Sequence, residues 1–293
     1  MSKSIRSANS APEKSTWGSS KFLAAVLVLL ITIPFQLFAQ GNLLITPRRV
    51  VFEGNKKSQE VNLANTGQDT AIYSVSFVQY RMTEEGSFEQ IEEPDPGQLF
   101  ANDYVRFFPR RVTLAPGEAQ VIRMQLRRRP GMVDGEYRSH MYFRAVPQEH
   151  PLGEDLALDD TTTIGIRLTP IFGITIPVIV RIGDLQAETS ISDIKLERDT
   201  DNKVILKMSI NRTGDQSVYG DLTINYIPSR GARTEVGIVR GIAVYTPNNT
   251  RQFAMELQPP EGIDFTDGKL VVTFSSQSDT DTQIFAESEY VLD

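Results

Sequence analysis

An all-β chain is what this sequence predicts, on three observations. Beyond Gln40 no segment holds a helical period, and alternating apolar runs recur between turn-forming residues. Between Ile164 and Val180, every even-numbered position except Pro170 is apolar: Ile164, Ile166, Leu168, Phe172, Ile174, Ile176, Val178 and Val180. A period of two puts these side chains on one strand face and Gly165, Arg167, Thr169, Gly173, Thr175 and Arg181 on the other. Ordinary strands end after roughly five or six residues, so part of this run is expected to project beyond its own sheet and to need cover from elsewhere.

The chain begins with basic residues Lys3, Arg6, Lys14 and Lys21, then an apolar run over 22–33 that continues past Pro34 to Leu37-Phe38-Ala39. That is the layout of a secretory signal peptide over 1–39. An uncleaved anchor is the alternative, but the strictly apolar part is short for a bilayer span, and Pro34 and Gln36 interrupt its end. The exported form is therefore expected not to span a membrane. Cleavage removes four basic residues and one acidic one, so the net charge falls from −7 to −10. An acidic surface with only short basic runs, Arg48-Arg49, Arg110-Arg111 and 127–129, argues against nucleic acid as a partner. There is no cysteine, so an exported chain must be held by its cores rather than by disulfides. With 293 residues, 40% of them hydrophobic, it has material for two such cores.

The elements follow in order. Strands are expected near 43–52, 59–63, 71–82, 104–108, 119–126 and 137–146, followed by the long run. Asn65-Thr66-Gly67 and Ala115-Pro116-Gly117-Glu118 supply tight reversals, and 92–97 holds two prolines among acids. Seven strands over this length suit an immunoglobulin-like sandwich, set at 40–181. Polar residues return at Arg181-Ile182-Gly183-Asp184, where a second β-sandwich over 182–293 begins. Its strands are expected near 189–196, 204–210, 218–226, 236–244, 252–257, 269–275 and 284–291.

Few parts for catalysis are present. His140 and His150 are the only histidines, and Ser139 and His140, as strand neighbours, face opposite sides of a sheet. His150 reads as loop. Glu84-Glu85, Glu92-Glu93 and Asp159-Asp160 fall in turns, where solvated carboxylates are common. Asp199-Thr200-Asp201-Asn202 and Asp279-Thr280-Asp281 offer alternate oxygens but lack the glycine and distant glutamate of a calcium loop. Asn211-Arg212-Thr213 and Asn248-Asn249-Thr250 fit only the weak glycosylation pattern. The reading is a non-enzyme with no cofactor, no metal and no small-molecule substrate.

Three stretches together resemble the PapD-like periplasmic chaperones of the chaperone–usher pathway, which assemble pili. They are Ile45-Thr46-Pro47-Arg48-Arg49-Val50-Val51-Phe52-Glu53-Gly54; Phe108-Pro109-Arg110-Arg111-Val112-Thr113-Leu114-Ala115-Pro116-Gly117-Glu118 with Val121-Ile122-Arg123; and the run from Asp134-Gly135-Glu136-Tyr137 through Met141-Tyr142-Phe143-Arg144 to Pro147. The resemblance covers 43–181, while the second domain matches in size and β-rich character. It implies a chaperone in the periplasm of a Gram-negative bacterium that binds fimbrial or pilus subunits by donor-strand complementation, with an outer-membrane usher as a further partner. It also implies site residues. Arg49 falls where the family's cleft arginine binds the subunit's terminal carboxylate, with Arg48 as the adjacent alternative. Ile164, Ile166, Leu168, Phe172 and Ile174 match the donor residues, whereas Ile176, Val178 and Val180 fit the chaperone's own core.

The sequence also departs from the family pattern. Pro177 stands where a second cleft anchor, a lysine, is expected, and Pro170 removes one backbone donor from the strand. The stretch 148–163 resembles an extended loop before the donor strand. Arg181 matches an arginine at the domain junction, but Arg138 occupies the approximate place of its acidic partner, which leaves Glu136 as the alternative. A competing function is an immunoglobulin-like surface or matrix protein that associates through the same strand.

Overall fold

The computed structural model describes residues 43–147, 171–259, 263–277 and 282–292. In the first sandwich the strands are β1 (Leu43–Thr46), β2 (Val50–Phe52), β3 (Ser58–Asn65), β4 (Ala71–Met82), β5 (Phe88–Ile91), β6 (Val105–Phe108), β7 (Arg111–Leu114), β8 (Ala119–Leu126), β9 (Gly135–Ala145) and β10 (Gly173–Ile182). One sheet runs β1-β3-β8-β6; the other runs β2-β10-β9-β4-β5, with β7 also on β4. Their inner faces meet in a core that includes Phe52, Leu63, Leu114, Ile122, Met141 and Phe143. Burial of each such side chain contributes roughly 1.5–3 kcal/mol, and with no cysteine anywhere in the sequence no disulfide adds to it.

The second sandwich comprises β11 (Ala187–Arg198), β12 (Val204–Gly214), β13 (Val218–Ile227), β14 (Thr234–Val244), β15 (Thr250–Glu256), β16 (Lys269–Ser275) and β17 (Ile284–Val291). Its sheets are β11-β12-β15 and β14-β13-β16-β17. On β13 every second residue, Val218, Gly220, Leu222, Ile224 and Tyr226, is buried, the alternation of a strand with one face on a core. All strands described are β, as expected, and each second-half strand lies where the alternation placed it.

Two expectations need correction. The stretch 43–52 is two strands in different sheets: Pro47 has no N–H to continue a ladder, and the chain crosses over there. β5 and β7 were not expected, because four-residue strands hold at most two inward side chains, Val112 and Leu114 in β7, and leave no readable period. Of the long run, the described strand begins only at Gly173; Ile164, Ile166 and Leu168 lie outside the described residues.

The β4–β5 hairpin reaches the second sandwich. Met82 lies in the second core, its carbonyl accepts from Asn248 Nδ2 at 2.7 Å, and Glu84 O accepts from the Gln252 amide at 2.6 Å. After β10 the chain turns at Gly183, with φ of +90°, where a Cβ would stand 2.6 Å from Asp134 Cγ. Only glycine fits that turn.

Candidate functional site: an unpaired strand edge and an arginine cleft

β10 has a partner along one side throughout and along the other only in part. It pairs antiparallel with β9 from Gly173 to Ile182, but parallel with β2 only at Val178, Ile179 and Val180. Among the described residues, 173–177 therefore form a free edge. The Ala145 amide donates to Phe172 O at 2.9 Å, which fixes the polarity: backbone groups of even-numbered residues face β9, and those of odd-numbered residues face outward. Pro177 occupies an outward position, the only kind a proline tolerates in a sheet.

Side chains on the even positions form a ramp of exposure. Phe172 is 57% exposed and Ile174 37%, whereas Ile176 falls to 3% and Val178 and Val180 to zero. Phe172 precedes the strand itself. Beside the ramp, a groove of about 310 Å³ is lined by Leu43, Leu44, Arg48, Ile174 and Ile176. Farther along the strand, odd position 179 faces the second sandwich. Ile179, zero exposed, packs into the second core with Val51 and Met82.

The same face carries charge. In register across the sheet stand Val51, Ile179 and Arg138, and one step along, Arg181 and Glu136. Arg181 Nε donates to Glu136 Oε2 at 3.0 Å, Nη1 to Glu53 Oε2 at 3.1 Å and Nη2 to Ser217 O at 3.1 Å. Glu136 is 3% exposed, and it also accepts from the Ser217 amide (3.1 Å), Ser217 Oγ (2.8 Å) and Thr246 Oγ1 (3.4 Å). A buried carboxylate so fully engaged ties β9 to β13 and to the turn after β14.

The two adjacent arginines part company. Arg48 is exposed beside the groove, while Arg49 turns into the cleft with its guanidinium 4.5 Å from the Tyr219 ring centroid and 5.8 Å from that of Tyr245. Arg49 Nη1 has no hydrogen-bond partner among the described residues. Desolvation pushes its pKa down, Tyr245 and Glu136 oppose the shift, and Arg181 adds to it. A cavity of about 330 Å³ opens here, lined by Arg49, Glu53, Arg181, Gln216, Tyr219 and Phe285. Arg138 lies deeper, 2% exposed and 4.4 Å from the Tyr245 centroid. His140, its neighbour on the same face, is edge-on to Tyr80 and Phe88.

The structure thus brings Arg49 and Arg181 to one cleft and puts Phe172 and Ile174 on one edge. Tyr219, Tyr245, Ser217 and Thr246 were not foreseen as cleft residues. They stand in or beside second-half strands, and no local pattern announces that a strand end will face another sandwich. The turn at 199–202 closes on itself, with Asp199 Oδ1 accepting from the amides of Asp201 and Lys203. His150, Asp159-Asp160 and the stretch 279–281 lie outside the described residues.

No family model matches the chain, and no curated protein does. Solved structures do. A chain of the CsuC–CsuE chaperone–tip adhesion subunit pre-assembly complex, from archaic chaperone-usher Csu pili of Acinetobacter baumannii, is similar at 14% identity over 83% of this chain and 98% of that one, with a TM-score of 0.44. The YadV chaperone is similar at 14% identity, covering 86% of this chain and 100% of its own, with a TM-score of 0.43. The Pseudomonas aeruginosa CupB2 chaperone is similar at 13% identity over 85% and 100%, with a TM-score of 0.40.

Proposed function

We propose that this chain is a periplasmic assembly chaperone that lends β10 to fimbrial-type subunits whose own sandwich lacks a strand. The single observation that carries this reading is the exposure ramp on an edge unpaired among the described residues: side chains of one alternating face pass from buried at Val180 to open at Phe172 while the backbone beside them has no described partner. An incomplete sandwich has the complementary defects, a bare groove in its core and unsatisfied edge groups. One strand supplies both needs. Phe172 and Ile174 enter the subunit's groove, with Ile164, Ile166 and Leu168 continuing the face beyond the described residues. Burial of each large side chain contributes about 1.5–3 kcal/mol, so neither cofactor nor nucleotide is required and no chemical step is catalysed.

A subunit strand on this edge lies in line with β2, and if it runs parallel to β10 as β2 does, it ends at Arg49, the residue before Val50. Arginine suits a terminal carboxylate because its planar fork donates to both oxygens. Arg48, exposed beside the groove, faces the partner's flank instead. The signal at 1–39 directs the chain to the compartment where such subunits fold, and an outer-membrane usher would take over the complex.

The test is co-purification of the exported protein with a fibre subunit, in the wild type and in the double variant Phe172→Asp, Ile174→Asp. Both positions are surface-accessible, so the variant keeps its fold, checked by circular dichroism, and the subunit complex is lost. Unchanged recovery of the subunit overturns the reading. Recovery of the wild type in outer-membrane fibres, rather than as a soluble complex, would favour a self-associating structural protein.

A further inference from the structure

We infer that Tyr142 is a positioning residue for strand lending: its ring lies across Gly173 and holds the first residue of β10 extended, with its backbone set for a partner. The inference rests on the strand-lending reading above. The argument begins with the donors that the edge offers. Outward backbone groups between 173 and 177 belong to Gly173, Thr175 and Pro177, and the proline has no N–H. Gly173 therefore supplies one of two amides on this stretch. It also stands between Phe172 and Ile174, two side chains of the ramp that open to solvent. Glycine is the residue type least able to hold such a place, because it loses more conformational freedom on ordering than any other and brings no side chain to pack.

The backbone does not explain the glycine. Gly173 is a strand residue, and its φ lies outside the left-handed region that turn glycines such as Gly183 occupy. What the glycine provides is room. A Cβ there would stand 2.6 Å from Tyr142 Oη and 2.7 Å from Cζ, so the end of the ring occupies the place of the missing side chain. Tyr142 is in register with Thr175, which puts it diagonally across from Gly173 on the same face of the sheet, within reach of an aromatic side chain. Arg144, directly opposite Gly173, is exposed. The atoms nearest the bare backbone on this face are those of Tyr142.

A ring laid over a strand glycine restores the cross-strand contact that the glycine lacks. Its place gives that contact a function. The bond from the Ala145 amide to Phe172 O, 2.9 Å long, is the outermost described link between β9 and the lending stretch. The ring thus sits where β10 would otherwise begin to fray. A partner strand that bonds to a frayed edge must first order it, and that cost is subtracted from its affinity, whereas an edge already held extended avoids it.

The experiment compares the wild type with Tyr142→Ala, Tyr142→Phe and the double variant Tyr142→Ala, Gly173→Ala. Amide hydrogen exchange of the purified exported protein follows the Ala145 N–H, with the Tyr137 and Ser139 amides, opposite Val180 and Val178, as internal references. Fluorescence anisotropy follows capture of carboxyfluorescein-labelled Thr-Val-Thr-Val-Thr-Val amide, counted as the part lost in Phe172→Asp, Ile174→Asp. Expected in Tyr142→Ala are exchange at Ala145 about tenfold faster with the reference amides unchanged, and peptide capture about fivefold weaker. Tyr142→Phe keeps the ring and both wild-type values. The double variant decides the mechanism: alanine at 173 narrows the backbone without any ring, and it recovers most of the affinity lost in Tyr142→Ala. A side chain that served only the general stability of the sheet would speed exchange at all these amides alike, and one that touched the peptide directly would not be rescued from position 173. Either result overturns the inference, as does unchanged exchange at Ala145. If the wild type captures no peptide while Ala145 still responds to Tyr142→Ala, the strand-lending reading fails and takes the positioning role with it, but the cover over Gly173 stands, so the two failures are separately visible.

Discussion

His140 stands on β9 with its ring centroid 5.1 Å from that of Tyr80 and 5.4 Å from that of Phe88, and its Nδ1 has no partner among the described residues. Burial first, and the positive charge of Arg138 second, push its pKa down from 6.5 to about 3. In the unfolded chain the imidazole takes a proton near pH 6.5, but the folded protein refuses it until about pH 3. Over that window the unfolded state binds more protons, so stability is fully present above pH 6.5 and declines on acidification by about 1.4 kcal/mol per pH unit. His140→Phe keeps the aromatic packing and removes the proton site. Urea midpoints between pH 7 and 4.5 should slope less steeply in the variant, and an identical slope in both proteins would refute the assignment. The sequence hides this environment for a physical reason. Glu136, Arg138 and His140 alternate with Tyr137, Ser139 and Met141, which reads as polar-out and apolar-in, yet all six are buried because a second sandwich covers the polar side. Periodicity reports the face and is silent on what lies against it.

At the scale of the element, Pro177 marks where the free edge of β10 stops offering donors. Its N–H would point outward, between the open stretch 173–176 and the residues paired with β2. A proline there blunts the edge against indiscriminate pairing. Pro177→Thr restores one outward donor beside a β-favouring side chain, and the continuous edge then reaches β2. Sedimentation velocity should show the variant self-associating at concentrations where the wild type does not; identical sedimentation would mean that the proline does not limit the edge. The inward face of this strand was legible in the sequence, because Ile176, Val178 and Val180 alternate without interruption and meet one core. Its outward face was not. Ile179 is apolar at an odd position and reads as an exception to the alternation, whereas it belongs to the core of the other sandwich. The crossover at Pro47 was missed for a related reason: β1 and β2 share one alternating pattern, and the pattern does not say that its two halves pair in different sheets.

At the scale of the molecule, β10 is common property. Val178 and Val180 fill the first core, while Ile179 between them fills the second with Met82 from the β4–β5 hairpin. Around this shared strand, Glu136 binds Arg181, Ser217 and Thr246. The described residues from Leu43 onward belong to one compact unit. Losing the fold of the second sandwich would strip cover from Ile179 and leave Glu136 buried with part of its bonding gone, a penalty that falls on the first sandwich as well. The two should therefore unfold in a single transition despite having separate cores, with circular dichroism and tyrosine fluorescence giving coincident urea curves. Ile179→Ala removes the bridging side chain at a cost of about 2–5 kcal/mol, and both probes should shift together to lower urea. Non-coincident curves in the wild type, or a midpoint unmoved by Ile179→Ala, would mean that the cleft is a passive contact. A coupled cleft has a functional consequence under the proposed function: a chain end seated at Arg49 would press on a surface whose two walls move as one, and strand binding on β10 should raise the urea midpoint of the whole molecule rather than of the first sandwich alone.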